Sequence, residues 1–394
     1  MTVSAQQSAA WAREIGDALL GRTMPMAHVA GGDAGVALFF AYLAQYTGDA
    51  RHVDEAETRL GLAIDDAGNR DPWLFSGVTG IAWTSEHLFG SVLAPNEGDI
   101  NADTDGFVDA LLDNPQAWHR RYELMYGLCG VGVYLLERPP GVARTGLLGK
   151  LVTALEASAT RAPDGAVRWF SDYDPRFTGG TYNLGLAHGA TGVIAFLARL
   201  ATVLDAGDPL HARVTTLLRQ TVTGFMPYRL PTHAAAVFPS FAAHAHDPSR
   251  LGWCFGDLAA AVALLAAGQA LAEPAWVADA TAIAIRASTR SPHSAGVVDI
   301  GLCHGAMGLA HMFRRFHAHV AEPIVAAAAE RWLAHAFALR ASDRGVAGIQ
   351  SYLPVERVWV DDAALLGGAA GVGLALLTHA GVIAPAWDRL FLLH

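Results

Sequence analysis

Cysteine is scarce in this chain: three residues among 394, Cys129, Cys254 and Cys303. So small and odd a number does not build a disulfide framework, which leaves metal binding, catalysis or packing as their uses. Charge is scarce too, at 16% of residues against 52% hydrophobic, and what there is sums to −10. The chain's basic residues gather in nothing longer than pairs such as Arg314-Arg315. Neutralising phosphates needs larger clusters, so nucleic acid is excluded as the main partner. Long apolar runs are missing as well. The richest, Leu258 to Ala267, is broken by Gly268 and Gln269, short of the ~20 residues that span a bilayer. An integral membrane protein is therefore not expected. The first twenty residues lack a basic start followed by an apolar core, so no secretory signal is expected either, and the expected location is the cytoplasm.

What the chain has instead is a repeat. A loop ending in G-x-x-G, followed by a small and aliphatic run with helical spacing, begins at Gly32, Gly77, Gly127, Gly189, Gly256, Gly305 and Gly368. Six copies keep the second glycine, and the fifth has Ala259 in its place. Each copy reads as a helix start, where a missing Cβ lets another backbone approach. The runs that follow suit helices touched on all sides. Amphipathic stretches such as 322–340 lie between them and read as outer helices. Copies are 45 to 67 residues apart, enough for two helices and their loops at about 1.5 Å per residue. The expectation is an all-α fold: an α/α toroid, or barrel, of seven helical hairpins with inner and outer helix layers. Its rival is an open solenoid, which usually keeps a more regular repeat length. Residues 1–394 then form a single domain, with loop insertions at 161–183 and 228–249, rich in Pro, Gly, Asp and His. Loops of this kind collect function.

Cys254 in RLGWCFGD and Cys303-His304 in GLCHGAMG stand at the glycine loops of the fifth and sixth copies. In a ring these are neighbours, so two thiolates and an imidazole converge, a donor set that suits Zn2+. Three protein ligands leave a fourth tetrahedral position open, the catalytic pattern. The competing reading is that both cysteines are small core residues. Cys129, in GLCG three copies earlier, is expected to pack.

The segments WCFGD, GLCHGAMG and NLGLAHGATG resemble, as a set, the motifs of the lanthionine synthetase C-like family, the cyclases of lanthipeptide biosynthesis, and the likeness runs through all seven copies. The resemblance implies one zinc held by Cys254, Cys303 and His304. It implies thioether formation, in which a peptide cysteine adds to dehydroalanine or dehydrobutyrine of the same precursor. The family's acid/base histidine corresponds to His188, and its arginine four residues before the zinc cysteine to Arg250. At the third copy Glu123 stands where the family commonly has Asp, a longer carboxylate that can still orient His188. Phe255 replaces the usual Tyr after the zinc cysteine. Leu258 and Ala259, following Asp257, replace the family's usual proline and glycine, which alters the expected loop shape. The partners implied are a dehydrated precursor peptide with its leader, a separate dehydratase and an exporter. The location implied is cytoplasmic, with membrane association through a biosynthetic complex. His311, His317 and His319 are expected to pack or face solvent, and His233, His244 and His246 are weak candidates for substrate contact.

Two other functions fit the same text. One is a zinc-thiol enzyme adding glutathione to dehydrated residues. The other is a non-catalytic peptide-binding scaffold or prenyltransferase-like toroid with the metal in another role.

Overall fold

The structure is a computed structural model that describes residues 3–172, 180–244 and 247–393. His246, the side chain of His244, and residues 173–179 of the 161–183 segment lie outside the described residues. The first helices are α1 (Ala5–Leu19), α2 (Asp33–Thr47), α3 (Ala50–Asp66), α4 (Val78–Leu88) and α5 (Ala102–Leu112). They are followed by α6 (Leu128–Glu137), α7 (Val142–Ser158), α8 (Ala190–Val203), α9 (Pro209–Phe225), α10 (Asp257–Ala270), α11 (Pro274–Ser288) and the single turn α12 (Pro292–Ala295). The last are α13 (Ala306–Val320), α14 (Pro323–Leu339) and α15 (Ala369–His379). Two short antiparallel hairpins are the only sheet among the described residues: β1 (Thr160–Arg161) with β2 (Val167–Arg168), and β3 (Ser351–Leu353) with β4 (Val358–Val360). No helix among them is long and apolar enough to cross a membrane.

The chain forms two compact units, Met1–Thr104 with Val297–His394, and Asp105–Gly296. In the first, α2 packs between α15 and α4, and α15 also meets α13. In the second, α8 packs between α6 and α10. These are the helices of the glycine repeat, and they are buried all round: every residue of α2 from Asp33 to Ala44, and of α10 from Asp257 to Leu265. Their partners are one-sided. In α3 the buried residues are His52, Ala56, Arg59, Leu60 and Ala63, three or four apart, as one helix face requires. α3 lies on α2, α14 on α13 and α1 on α15 in one unit, and α7 lies on α6, α9 on α8 and α11 on α10 in the other.

The two layers start their helices differently. The outer α3 and α9 are capped by Asp49 and Asp208, whose carboxylates accept the N–H two residues on, the usual way to satisfy first-turn donors. All seven buried helices are capped by the repeat glycine. With no side chain there, the donors go to the helix's own loop. In six of the seven the N–H of the residue after the glycine donates to the carbonyl seven residues earlier, as in Asp33 to Met26 (2.9 Å), Val78 to Asp71 (2.8 Å), Ala190 to Asn183 (2.9 Å) and Ala306 to Asp299 (3.0 Å). This brings the loop backbone so near the cap that a Cβ at any of the seven glycines would meet it within 2.6 Å. Gly256 adds a second reason, because its φ of 108° is open only to glycine.

At five of the seven copies the residue two before the glycine also donates to the corresponding residue of a neighbouring loop. In the first unit Ala30 donates to Phe75, Leu366 to Ala30, and Cys303 to Leu366; in the second Met125 donates to Ala187, and Ala187 to Cys254. The expected loop at 161–183 opens on β1–β2, whose turn is made by Asp164 and Gly165: the aspartate accepts the Ala166 N–H and the glycine sits at φ 83°. In 228–249 the described residues form turns and short 3-10 segments.

Gly77→Ala is expected to lower the melting temperature, because its Cβ would stand 1.8 Å from the Asp71 carbonyl oxygen; overpacking of this kind costs about 1–3 kcal/mol. Gly61→Ala, on the open face of α3 with nothing within 4 Å of the new Cβ, is expected to raise it by removing about 0.5–1 kcal/mol of helix penalty. Thermal unfolding of the two variants checks the contrast, and equal behaviour would refute the steric account.

Candidate active site and metal centre

Four expected site residues meet in the second unit. Glu123 belongs to the loop before α6, and its carboxylate is buried. Its Oε2 accepts the Met125 N–H at 2.8 Å and its Oε1 the Tyr126 N–H at 2.7 Å. Oε2 also lies 3.2 Å from Nδ1 of His188. The imidazole is thus held from behind by a carboxylate that is itself fixed to backbone. His188, the residue before the α8 cap, remains about a quarter exposed. Tyr126 and Phe255 flank its ring, with centroids 5.7 and 6.4 Å away. In a pair of this kind Nδ1–H faces the carboxylate and Nε2 is left to exchange protons.

Arg250 and Cys254 lie on the loop entering α10. The Nη2 of Arg250 donates to Cys254 Sγ at 3.3 Å, a contact that favours thiolate over thiol. The Cys254 carbonyl accepts the N–H groups of Leu186 and Ala187 at 3.0 and 3.3 Å. This tie to the loop of His188 depends on Gly185, where a Cβ would meet that carbonyl oxygen at 2.5 Å and the Phe255 ring at 2.6 Å. Phe255, without a phenol, packs against Phe241 with centroids 5.3 Å apart. Asp257 is a residue whose task was not legible. Fully buried, it accepts the N–H groups of Val237 (2.9 Å) and Phe238 (3.0 Å) and so pins the 228–249 segment to the start of α10. Burial pushes its carboxyl pKa up, against those two bonds and the Arg290 charge.

Cys303 and His304 lie in the first unit, on the loop entering α13. Cys303 is half-buried, and its N–H is tied to the Leu366 carbonyl at 2.9 Å. His304 Nε2 faces Oδ2 of the buried Asp299 at 3.6 Å. His304 Nδ1 is buried with no hydrogen-bond partner among the described residues. A buried nitrogen lone pair left without a donor is costly unless a metal takes it. The Cys303 thiol and the His304 imidazole are donors of the kind that suits zinc, as is the Cys254 thiol of the other unit.

The remaining cysteine and histidines have structural surroundings. Cys129 is fully buried in α6, and burial together with the Glu123 charge pushes its thiol pKa well up. It stays a protonated packing residue. His311 is buried, 2.9 Å from Asp388 and stacked on Trp387. His317 Nδ1 lies 3.0 Å from the Glu322 carbonyl, and burial lowers the pKa of His319. His233 is exposed. A groove of about 1000 Å³ in the second unit is lined by Trp118, Arg120, Lys150, Phe170, Tyr182 and Arg213, and it includes none of the candidate residues. Its cations are already matched: Arg120 to Asp172, Lys150 to Asp109 and Asp113, and Arg213 to Glu156.

None of the curated proteins matches the chain. Among solved structures, "Nisin cyclase" aligns with a TM-score of 0.74 at 18% identity, covering 98% of this chain and 96% of the other. Cellobiose 2-epimerase from Bacillus thermoamylovorans B4167 aligns at TM-score 0.48 and 9% identity, over 91% and 89% of the two chains. A sugar epimerase from a ruminal bacterium aligns at 0.45 and 12%, over 95% and 98%. The first likeness shows the fold, an α/α toroid. The family described as lanthionine synthetase C-like protein matches residues 27–392. The chain belongs to the lanthionine synthetase C-like family.

Proposed function

We propose that the protein is a zinc-dependent lanthipeptide cyclase acting on a dehydrated precursor peptide that carries its leader. The reaction is the addition of a cysteine thiol of the peptide across the Cα=Cβ bond of a dehydroalanine or dehydrobutyrine in the same chain. A sulfur–carbon bond forms at Cβ, a proton is delivered to Cα, and the thiol proton leaves to a base, so atoms and mass are conserved. Cys254, Cys303 and His304 would hold the zinc, whose chemistry here is to favour the thiolate form of the substrate cysteine at neutral pH.

The other roles fall to residues of the second unit. His188, oriented by Glu123, carries protons: its Nε2 serves as the acid that protonates Cα, or as the base for the incoming thiol. Arg250 supplies a fixed positive charge beside Cys254, suited to the oxyanion that develops on the peptide carbonyl. Tyr126 and Phe255 bracket the imidazole and limit water around it. A separate dehydratase supplies the unsaturated residues, an exporter takes the product, and the work is done in the cytoplasm beside the membrane that holds the exporter.

The observation that carries this reading is His304 Nδ1, buried without a partner beside a half-buried thiol, in a chain that the family matches over 27–392.

Purified protein with dehydrated precursor is expected to remove free thiols from the peptide at unchanged mass. An unchanged thiol titre with zinc-loaded protein would overturn the proposal, and a glutathione adduct formed when that thiol is supplied would redirect it. His188→Asn is expected to retain zinc and lower kcat about 10²–10⁴-fold, measured by the rate of thiol loss. A rate within a few-fold of the unaltered protein would remove His188 from the mechanism. Cys303→Ala is expected to lose zinc, read by metal analysis of the purified protein.

A further inference from the structure

We propose that Asp299 is a positioning residue that selects the tautomer of His304, so that Nδ1 and not Nε2 meets the metal. The inference rests on the metal reading above and concerns only residues of the first unit. A neutral imidazole has one N–H and one free lone pair. An ionised carboxylate only accepts, so a carboxylate facing Nε2 draws the proton there and leaves the lone pair on Nδ1. The geometry has both halves of this arrangement. Asp299 Oδ2 faces Nε2 at 3.6 Å, and Nδ1 is the buried nitrogen without a partner. At 3.6 Å the contact is not yet a hydrogen bond, and a ring shift of about 0.5 Å makes it one. The carboxylate is held for this. Oδ2 accepts the Tyr352 N–H of β3 at 3.2 Å, and Oδ1 lies 2.6 Å from where a Cβ of Gly305 would be, so only the capping glycine leaves it room. Carboxylates placed behind metal-bound histidines fix ring orientation and raise ligand basicity.

A purely structural role is the competing account, and the repeat supplies its control. Asp299 occupies the slot six residues before the capping glycine, which also holds Asp71, Asn183 and Asp362. There a side-chain oxygen accepts the N–H two residues on, from Trp73 (3.0 Å), Gly185 (2.9 Å) and Ala364 (2.8 Å). At 299 the carboxylate is engaged differently, its Oδ2 accepting the Tyr352 N–H, a bond that an asparagine oxygen keeps while the anionic acceptor is lost.

The test uses the full-length protein. In the zinc-loaded unaltered protein, long-range ¹⁵N–¹H NMR of His304 is expected to show the proton on Nε2 and the metal shift on Nδ1. Asp299→Asn is expected to keep the melting temperature of the metal-free protein while weakening zinc about tenfold or more in competition with a chromogenic chelator. Asp299→Ala is expected to weaken it further. Zinc bound through Nε2, or Asp299→Asn binding zinc as tightly as the unaltered protein, overturns the inference while leaving the metal reading intact. An unaltered protein that takes up no zinc overturns both. The NMR measurement needs no variant, so it decides the matter even where Asp299→Ala does not fold.

Discussion

The first-turn N–H groups of the buried helices have nowhere to go but their own loops. Water does not reach them, and a glycine cap offers no side-chain acceptor. The carbonyl seven residues back takes the first donor, as at Asp33, Val78, Leu128, Ala190, Ala306 and Ala369, and in several copies the next carbonyl takes the second, as Tyr122 does for Cys129 and Ile300 for Met307. An unsatisfied buried donor costs about 1–3 kcal/mol, so the loop must lie across the helix end at contact distance. That contact excludes a Cβ at the cap. One demand of hydrogen bonding thus sets the glycine, the loop path and the shared shape of seven loops.

Loops so constrained carry chemistry cheaply, because the scaffold uses the backbone of the residues before the cap and leaves their side chains free. The position one before the cap holds Gly31, Ser76, Tyr126, His188, Phe255, His304 and Gly367, and the position two before it holds Cys254, Cys303 and five uncharged residues. Backbone bonds between successive loops of one unit, such as Ala187 to Cys254 or Cys303 to Leu366, then fix the backbone from which each side chain projects. A groove of about 1000 Å³ in the second unit lies elsewhere, lined by cations that already have partners. Titratable groups that converge on fixed backbone are a better guide to the site than concavity is.

Much of this was legible because steric rules leave marks at fixed intervals. The seven glycines mark the seven buried helix starts, and the amphipathic text between them marks the outer layer. Cys254 and Cys303 stand out in the sequence because they share one slot of the repeat, two before the cap, with His304 one residue on. Asp257 and Asp299 were not singled out, since what each holds comes from another segment: Val237 and Phe238 for the one, Tyr352 for the other. Asp299 did leave a trace, for Asp or Asn recurs six residues before the cap at 71, 183, 299 and 362. That pattern announces a turn and says nothing of the histidine. The two hairpins depend on short local turns such as Asp164-Gly165, too brief for hydrophobic periodicity to reveal.

Glu123 shows how the chain tolerates departures from the family's text. A carboxylate with one more methylene than aspartate should overreach an imidazole placed for the shorter residue. Here the side chain curls back over its own loop and spends both oxygens on the N–H groups of Met125 and Tyr126 before Oε2 meets His188. The added length is absorbed by the loop, and the backbone, not a free rotamer, aims the carboxylate. Phe255 works to the same end from the other side. Its ring lies over Gly185 and against Phe241, so it flanks the imidazole as an apolar wall and brings no competing hydroxyl. These two departures therefore fall on groups around His188, and each is compensated by other contacts, of its own loop for Glu123 and of neighbouring segments for Phe255. Nothing of that kind could substitute for a thiol or a ring nitrogen, so the proposed donors Cys254, Cys303 and His304 allow no such compensation.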